Sequence, residues 1–254
     1  MDGAATRGAR RVHFFFNSKG GVGKSHNAAH LIQWHRDRGL PYKAFDADAT
    51  SATLSSFGAL NITRIQLMDR QDINPRQFDI LTNAFVDREQ DCNFIVDTGA
   101  SAFVAVNRYS LRMNLPGLIH DAGKVMVANM MIVAGNTMAE TIGNLRAMTR
   151  QMPAKVEIVV WINNHFGRVE DDSGRPFEEM EAYQEFYGRI AGIIHLPDWT
   201  FTDPRTFGED VQKMMTLGLT FEEAIRMPEF HVMEKSRLHR VRGAIYDQFD
   251  SVFG

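Results

Sequence analysis

The run Asn17-Ser18-Lys19-Gly20-Gly21-Val22-Gly23-Lys24-Ser25 stands between a short apolar segment, Val12 to Phe16, and a helical pattern that reaches about Arg38 before Gly39 and Pro41 end it. Glycines spaced this closely carry neither a strand nor a helix onward, so the chain must turn sharply out of the strand and begin the helix at once. In such a turn successive backbone N–H groups point at one anion, and the helix N-terminus adds a favourable dipole. The run fits the phosphate-loop pattern G-x-x-x-x-G-K-[ST], with Ser18 in the first glycine's place. Lys24 is then expected to reach the β- and γ-phosphates of a nucleotide, and Ser25 to offer its hydroxyl to Mg2+. Gly20, Gly21, Val22, Gly23, Lys24, Ser25 and His26 form the expected phosphate-binding set. The plainer alternative is a glycine-rich turn with an incidental Gly-Lys-Ser, against which the flanking strand and helix argue.

A nucleotide loop of this kind needs a sheet to stand on. Short β-type runs at Val12 to Phe16, Tyr42 to Phe45, Phe94 to Val96, Val125 to Val133, Val156 to Ile162 and Ile190 to Leu196 alternate with helix-length amphipathic segments. This predicts an α/β fold: one doubly wound, mostly parallel sheet with helices on both faces and right-handed crossovers. Asn61 to Gln90 fits a helical crossover carrying Leu67, Ile73, Phe78, Leu81 and Phe85, with Pro75 near its start. The polar, turn-rich stretch Phe166 to Phe177 reads as a protruding loop or hairpin. With 254 residues, 44% of them apolar, one nucleotide-binding domain over 12–254 is the simplest organisation, behind a disordered tail at 1–11.

The net charge of −3 is spread over residues of both signs, so the bulk composition does not point to a nucleic-acid or membrane binder. Cys92 is the single cysteine, which excludes an intramolecular disulfide and suits the cytoplasm. The longest other apolar run, Val125 to Ala134, is interrupted by Asn129 and is far shorter than the roughly 20 residues of a membrane helix.

Two acidic groups follow strands: Phe45-Asp46-Ala47-Asp48-Ala49-Thr50 and Phe94-Ile95-Val96-Asp97-Thr98-Gly99-Ala100. In a doubly wound sheet the carboxyl ends of neighbouring strands converge on one crevice, so both can face the phosphate loop. Asp48 is the expected water-positioning residue, Asp97 the carboxylate that holds Mg2+ through a water, and Asp46 a support behind it. Helix caps or turn aspartates remain the alternative for each. At the end of the fifth run, Asn163 can offer a donor and an acceptor to a purine, with Asn164 as the reserve and a turn asparagine as the plainer reading.

Lys19-Gly20-Gly21-Val22-Gly23-Lys24-Ser25 resembles the deviant Walker A motif of ParA/MinD ATPases, and Asp46 with Asp48 resembles that family's D-x-D switch, although Ala49-Thr50 replaces the Pro-Gln often found there. The resemblance implies a P-loop NTPase of the SIMIBI class that binds ATP and Mg2+. It makes Lys19 a signature lysine, acting with Lys24 and Asp48 in slow hydrolysis and touching phosphates held by the other subunit of an ATP-dependent homodimer. A solvated surface lysine is the alternative for Lys19. Over most of its length the chain is similar to TraL-type proteins of conjugative plasmids, through Asp72-Ile73-Asn74-Pro75-Arg76, Asp97-Thr98-Gly99-Ala100-Ser101, Trp161-Ile162-Asn163, Thr206-Phe207-Gly208 and Leu219-Thr220-Phe221-Glu222-Glu223-Ala224. Gly135-Asn136-Thr137 departs from the paired glycine expected there. This similarity implies an accessory of conjugal DNA transfer with a protein partner in that apparatus. Two other readings stay open: a P-loop ligase of the dethiobiotin-synthetase type, and a nucleotide-binding scaffold that does not hydrolyse. An electron carrier like the nitrogenase iron protein is excluded, because its bridging cluster needs two cysteines per subunit.

From Lys235 onward Leu238, Val241, Ile245, Phe249 and Val252 recur at helical spacing, behind a basic group of Lys235, Arg237, Arg240 and Arg242. Docking on the protein's own core is the favoured reading. Contact with DNA phosphates, or a peripheral position on the inner membrane, is the alternative.

Overall fold

The computed structural model describes residues 10–48, 51, 53–70, 72–199 and 203–254. Strand β1 (Arg10–Phe16) leads through the glycine loop into α1 (Lys24–Asp37), then β2 (Tyr42–Ala47) and a short β3 (Ile62–Arg64). A small hairpin, β4 (Met68–Asp69) and β5 (Asp72–Ile73), precedes α2 (Pro75–Val86) and β6 (Asn93–Thr98). Next come α3 (Phe103–Arg112), α4 (Leu115–Asp121), β7 (Lys124–Val133), α5 (Met138–Gln151), β8 (Glu157–Asn163), α6 (Glu181–Phe186) and β9 (Ile190–His195). Three helices close the chain: α7 (Glu209–Thr216), α8 (Phe221–Arg226) and α9 (Val232–Phe253).

The seven-stranded sheet runs β3-β2-β6-β1-β7-β8-β9 and every pairing in it is parallel. The fold is therefore the expected doubly wound α/β arrangement, with β1 at its centre. The chain moves outward from β1 on one side, returns through β6 and crosses to β7 on the other, so the glycine loop leaves β1 where the strand order reverses. That is where open α/β sheets bind ligands.

A centrally placed strand is covered on both faces, and β1 shows it. Phe14 and Phe16 join the core formed with α2, α3, α4 and α5, while Phe15 joins the opposite core formed with α1, α7, α8 and α9. All three are fully buried, each contributing about 1.5–3 kcal/mol of apolar burial. Asn129, the polar interruption in β7, is fully buried and paired, donating to the Phe14 carbonyl at 3.2 Å and accepting from the Trp161 indole at 3.0 Å. Its cost in the core is thus offset by hydrogen bonds.

Several boundaries differ from the sequence reading, among them β2 and β6, which run on to Ala47 and Thr98 and so hold Asp46 and Asp97 within strands rather than after them. β1 starts at Arg10, two residues inside the expected tail, because the Arg10 guanidinium pairs with Asp91 and the Arg11 N–H donates to Asn93 at 2.8 Å. Residues 1–9 of that tail, and Ala49 and Thr50, lie outside the described residues. Asn61 to Gln90 is not one helical crossover: it spends its first part on β3 and the hairpin, with Leu67 buried beside them and Ile73 in β5. The helix begins only where Asn74 caps it and Pro75 takes its first position. The final helix begins at Val232, earlier than Lys235. It docks as expected, burying Leu238, Val241, Ile245 and Phe249. Part of its basic group is held against the protein: Arg237 pairs with the buried Asp210, and the exposed Arg240 lies over Trp199 and Phe207 at 5.4 and 5.5 Å. Among the described residues no helix is long and apolar enough to cross a membrane. The stretch 166–177 makes a tight turn, closed by a Glu170–Pro176 bridge.

Candidate functional site

Gly21 and Gly23 have φ of 74° and 95°, the left-handed region that favours glycine. Gly23 caps α1 with no side-chain hydrogen bond, and the first turn of α1 holds no acidic residue. The helix start is therefore an uncompensated positive end facing the crevice. A Cβ on Gly23 would lie 2.8 Å from the Asn163 amide nitrogen and 3.1 Å from that of Asn27, so only glycine lets the loop pass here.

The loop is gripped at its entry by Asn17, a fully buried residue. Its amide donates to the Met131 carbonyl at 2.9 Å, and its oxygen accepts from Lys19 N–H at 3.0 Å and from Asn144 on α5 at 2.9 Å. Ser18 donates to Asn144 at 3.0 Å. Asn17 belongs to the quoted motif, yet its organising role escaped the sequence reading; its only signal was a polar residue directly after Phe14, Phe15 and Phe16.

Lys24 is 7% exposed and donates to the Lys19 carbonyl at 3.1 Å. Burial lowers its pKa, while Asp97 and Asp48 act in the opposite direction, so both carboxylates share its electrostatic neighbourhood. Lys19 is half-exposed, its ammonium 3.5 Å from Glu140 at the start of α5.

Asp97, the last residue but one of β6, is almost completely buried, and neither of its oxygens makes a hydrogen bond of ordinary geometry. Burial pushes its pKa up to about 7; Asp46 and Asp48 reinforce that, while the Ser25 hydroxyl and Lys24 oppose it. An orphaned buried carboxylate beside a serine hydroxyl and a lysine fits a hard cation. Among the described residues no three His, Cys, Asp or Glu side chains converge to hold a metal by themselves. Mg2+ draws most of its ligands from phosphates and water. Asp46 is fully buried but spent: its oxygens accept from Asp48 N–H at 3.1 Å and from Ser55 N–H at 2.9 Å. It stands behind the site rather than in it. Asp48 accepts from Ser51 N–H at 3.3 Å and lies against Gly99.

Beside the loop a cavity of about 180 Å³ is lined by Gly21, Gly23, His26, Asn163, Leu196 and Pro197, and continues inward to His30 and α9. Burial, with His165 nearby, lowers the pKa of His26, so its imidazole is neutral. Asn163 donates to the Val22 carbonyl and accepts from His165 N–H, each at 3.1 Å. An amide so engaged still has one N–H and one lone pair to give a base. The structure thus brings Lys24, Ser25, Asp46, Asp48 and Asp97 together at one crevice, with His26 and Asn163 at its cavity and Lys19 on its rim.

Residues 13–198 match the CobQ/CobB/MinD/ParA nucleotide binding domain. Two curated proteins of Escherichia coli, both named Protein TraL, are each 32% identical over 241 residues, covering 95% of this chain and 98% of theirs. Among solved structures, the MinD cell division protein of Aquifex aeolicus is 11% identical with a TM-score of 0.47, over 92% of this chain and 97% of its own. A putative plasmid partition protein of Borrelia burgdorferi bound to AMPPNP is 12% identical with a TM-score of 0.45, over 91% and 98%. The chain belongs to the CobQ/CobB/MinD/ParA nucleotide-binding family and, within it, to the TraL group.

Proposed function

We propose that this chain binds Mg-ATP in the β1–α1 crevice and hydrolyses it slowly as a switch serving conjugal plasmid transfer. The observation that carries the reading is the orphaned, buried carboxylate of Asp97 set beside Lys24, Ser25 and the uncapped start of α1. Gly20 to His26 receive the phosphates, Lys24 neutralises the β- and γ-oxygens, and Asn163 with His26 and Pro197 borders the base. Ser25 and Asp97 would hold the magnesium, Asp97 through a water, with Asp46 behind them; the ion supplies charge neutralisation on the phosphates. Asp48 orients water toward the γ-phosphorus. Lys19, half-exposed on the rim, is available to a second copy and supports an ATP-dependent homodimer. The conjugal role rests on the TraL likeness, and the partner is a protein of that apparatus.

The test is size-exclusion light scattering of wild type and Asp48→Ala with no nucleotide, ADP or ATP, each with magnesium, alongside phosphate release. An ATP-specific dimer that persists in Asp48→Ala, with turnover lost, is the expected result. ATP binding without phosphate release in wild type would replace the switch with a non-hydrolysing scaffold. Release stimulated by a small substrate, with no change in size, would favour the ligase.

A further inference from the structure

We propose that Gly99 and Ser55 are positioning residues for hydrolysis, holding the Asp48 carboxylate in its water-orienting place before any nucleotide arrives. The proposal rests on the ATPase reading above.

The β2–β6 register pairs Asp46 with Asp97 and Ala47 with Thr98, so the next residues, Asp48 and Gly99, emerge side by side at the crevice. Gly99 has φ −60° and ψ 148°, a backbone conformation open to any residue. Conformational freedom therefore does not explain a glycine here, but space does. A Cβ on Gly99 would lie 2.7 Å from Asp48 Oδ1, 3.0 Å from its Cγ and 3.4 Å from its Cα. The Asp48 carboxylate occupies the place where a side chain would begin.

A second restraint comes from Asp46. One of its oxygens accepts from Asp48 N–H, and the other accepts from both the N–H and the hydroxyl of Ser55. Ser55 lies between Leu54 and Phe57, which are buried in the core shared with α1. Asp46 thus ties the Asp48 backbone to a segment anchored in the body of the protein. The reaction these contacts serve joins a water oxygen to the γ-phosphorus as the bond from phosphorus to the β–γ bridging oxygen breaks. ADP and inorganic phosphate leave, and the proton lost by the water passes to solvent. Asp48 accepts a hydrogen bond from that water, so a displacement of its carboxylate reduces turnover without reducing affinity.

The experiment measures phosphate release against ATP concentration, ATP affinity by displacement of a fluorescent ATP analogue, and thermal melting. Its panel is wild type, Asp48→Ala, Gly99→Ala, Gly99→Ala with Asp48→Ala, Ser55→Ala and Ser55→Thr. Gly99→Ala is expected to lower kcat about a hundredfold and Ser55→Ala about tenfold, with ATP affinity held within about twofold. Ser55→Thr, which keeps the hydroxyl, rescues the Ser55 defect. The double variant turns over no more slowly than Asp48→Ala alone, because both changes act through one carboxylate. Wild-type kcat in Gly99→Ala overturns the proposal while leaving the ATPase reading intact. Absence of turnover in wild type overturns both.

Discussion

Three buried histidines make the fold acid-labile, and one of them can be isolated by mutation. His13, His30 and His35 are 1%, 6% and 2% exposed. Burial lowers the pKa of His30 to about 3 and of His35 to about 4, and that of His13 well below its usual value. Neither ring nitrogen of His30 has a partner, and its ring stacks on Phe221 at 5.2 Å. His30 and His35 are therefore neutral in the folded chain at pH 5, and burial favours the neutral form of His13 too, whereas in the unfolded chain each titrates near 6.5. The unfolded state binds more protons below that value, so stability is complete above about pH 6.5 and falls as the solution is acidified. At pH 5 His30 and His35 each favour unfolding by about 2 kcal/mol, about 4 kcal/mol for the two, and His13 acts in the same direction. Asp97 acts the other way. Its folded pKa of about 7 lets the folded state take up a proton that the unfolded carboxyl does not yet hold, worth about 3 kcal/mol between pH 8 and pH 5. His30 and His35 outweigh it by about 1 kcal/mol, and His13 and His26, whose pKa values burial also lowers, add to the loss. Urea unfolding at pH 8 and pH 5, in EDTA and without nucleotide, measures this loss directly. His30→Leu should shrink it by about 2 kcal/mol and Asp97→Asn should enlarge it by about 3 kcal/mol. A loss between the two pH values that is the same in His30→Leu as in wild type refutes the reasoning, whatever the variant does to stability at pH 8.

Two further substitutions probe the loop. Gly23→Ala places a Cβ against the Asn163 and Asn27 amides at positive φ; isothermal titration should show ATP affinity reduced at least about tenfold, and thermal melting a loss of about 1–3 kcal/mol. Asn17→Ala strips partners from the Met131 carbonyl, Lys19 N–H and the Asn144 amide. Urea unfolding should show a loss of about 3 kcal/mol, more than for Asn144→Ala, which removes fewer of these contacts.

The sheet and the phosphate loop were legible because their signals are local. An apolar strand, a glycine turn and an amphipathic helix follow one another in the chain, and the strand ends deliver Asp46, Asp48 and Asp97 to the same edge. The stretch 61–74 was misread because β3 and the β4–β5 hairpin are two or three residues long, too short to show a period of two. The work of Asn17, Ser55 and Gly99 was hidden for a different reason: the register of β2 on β6 sets Gly99 against Asp48, the packing of α5 on the loop brings Asn144 to Asn17, and the turn after β2 folds Ser55 back onto Asp46. Several motif residues with no legible chemistry are structural. Asn74 caps α2, and Thr220 with Glu223 forms a capping box at α8. Phe207 packs on Trp199 beneath Arg240.

Calorimetric titration of Mg-ATP into wild type and Lys24→Ala tests the central claim most directly. Saturable binding at one site per chain in wild type, abolished in a Lys24→Ala variant that melts normally, is the predicted result. Equal binding by both proteins would contradict it and remove the β1–α1 crevice as the nucleotide site.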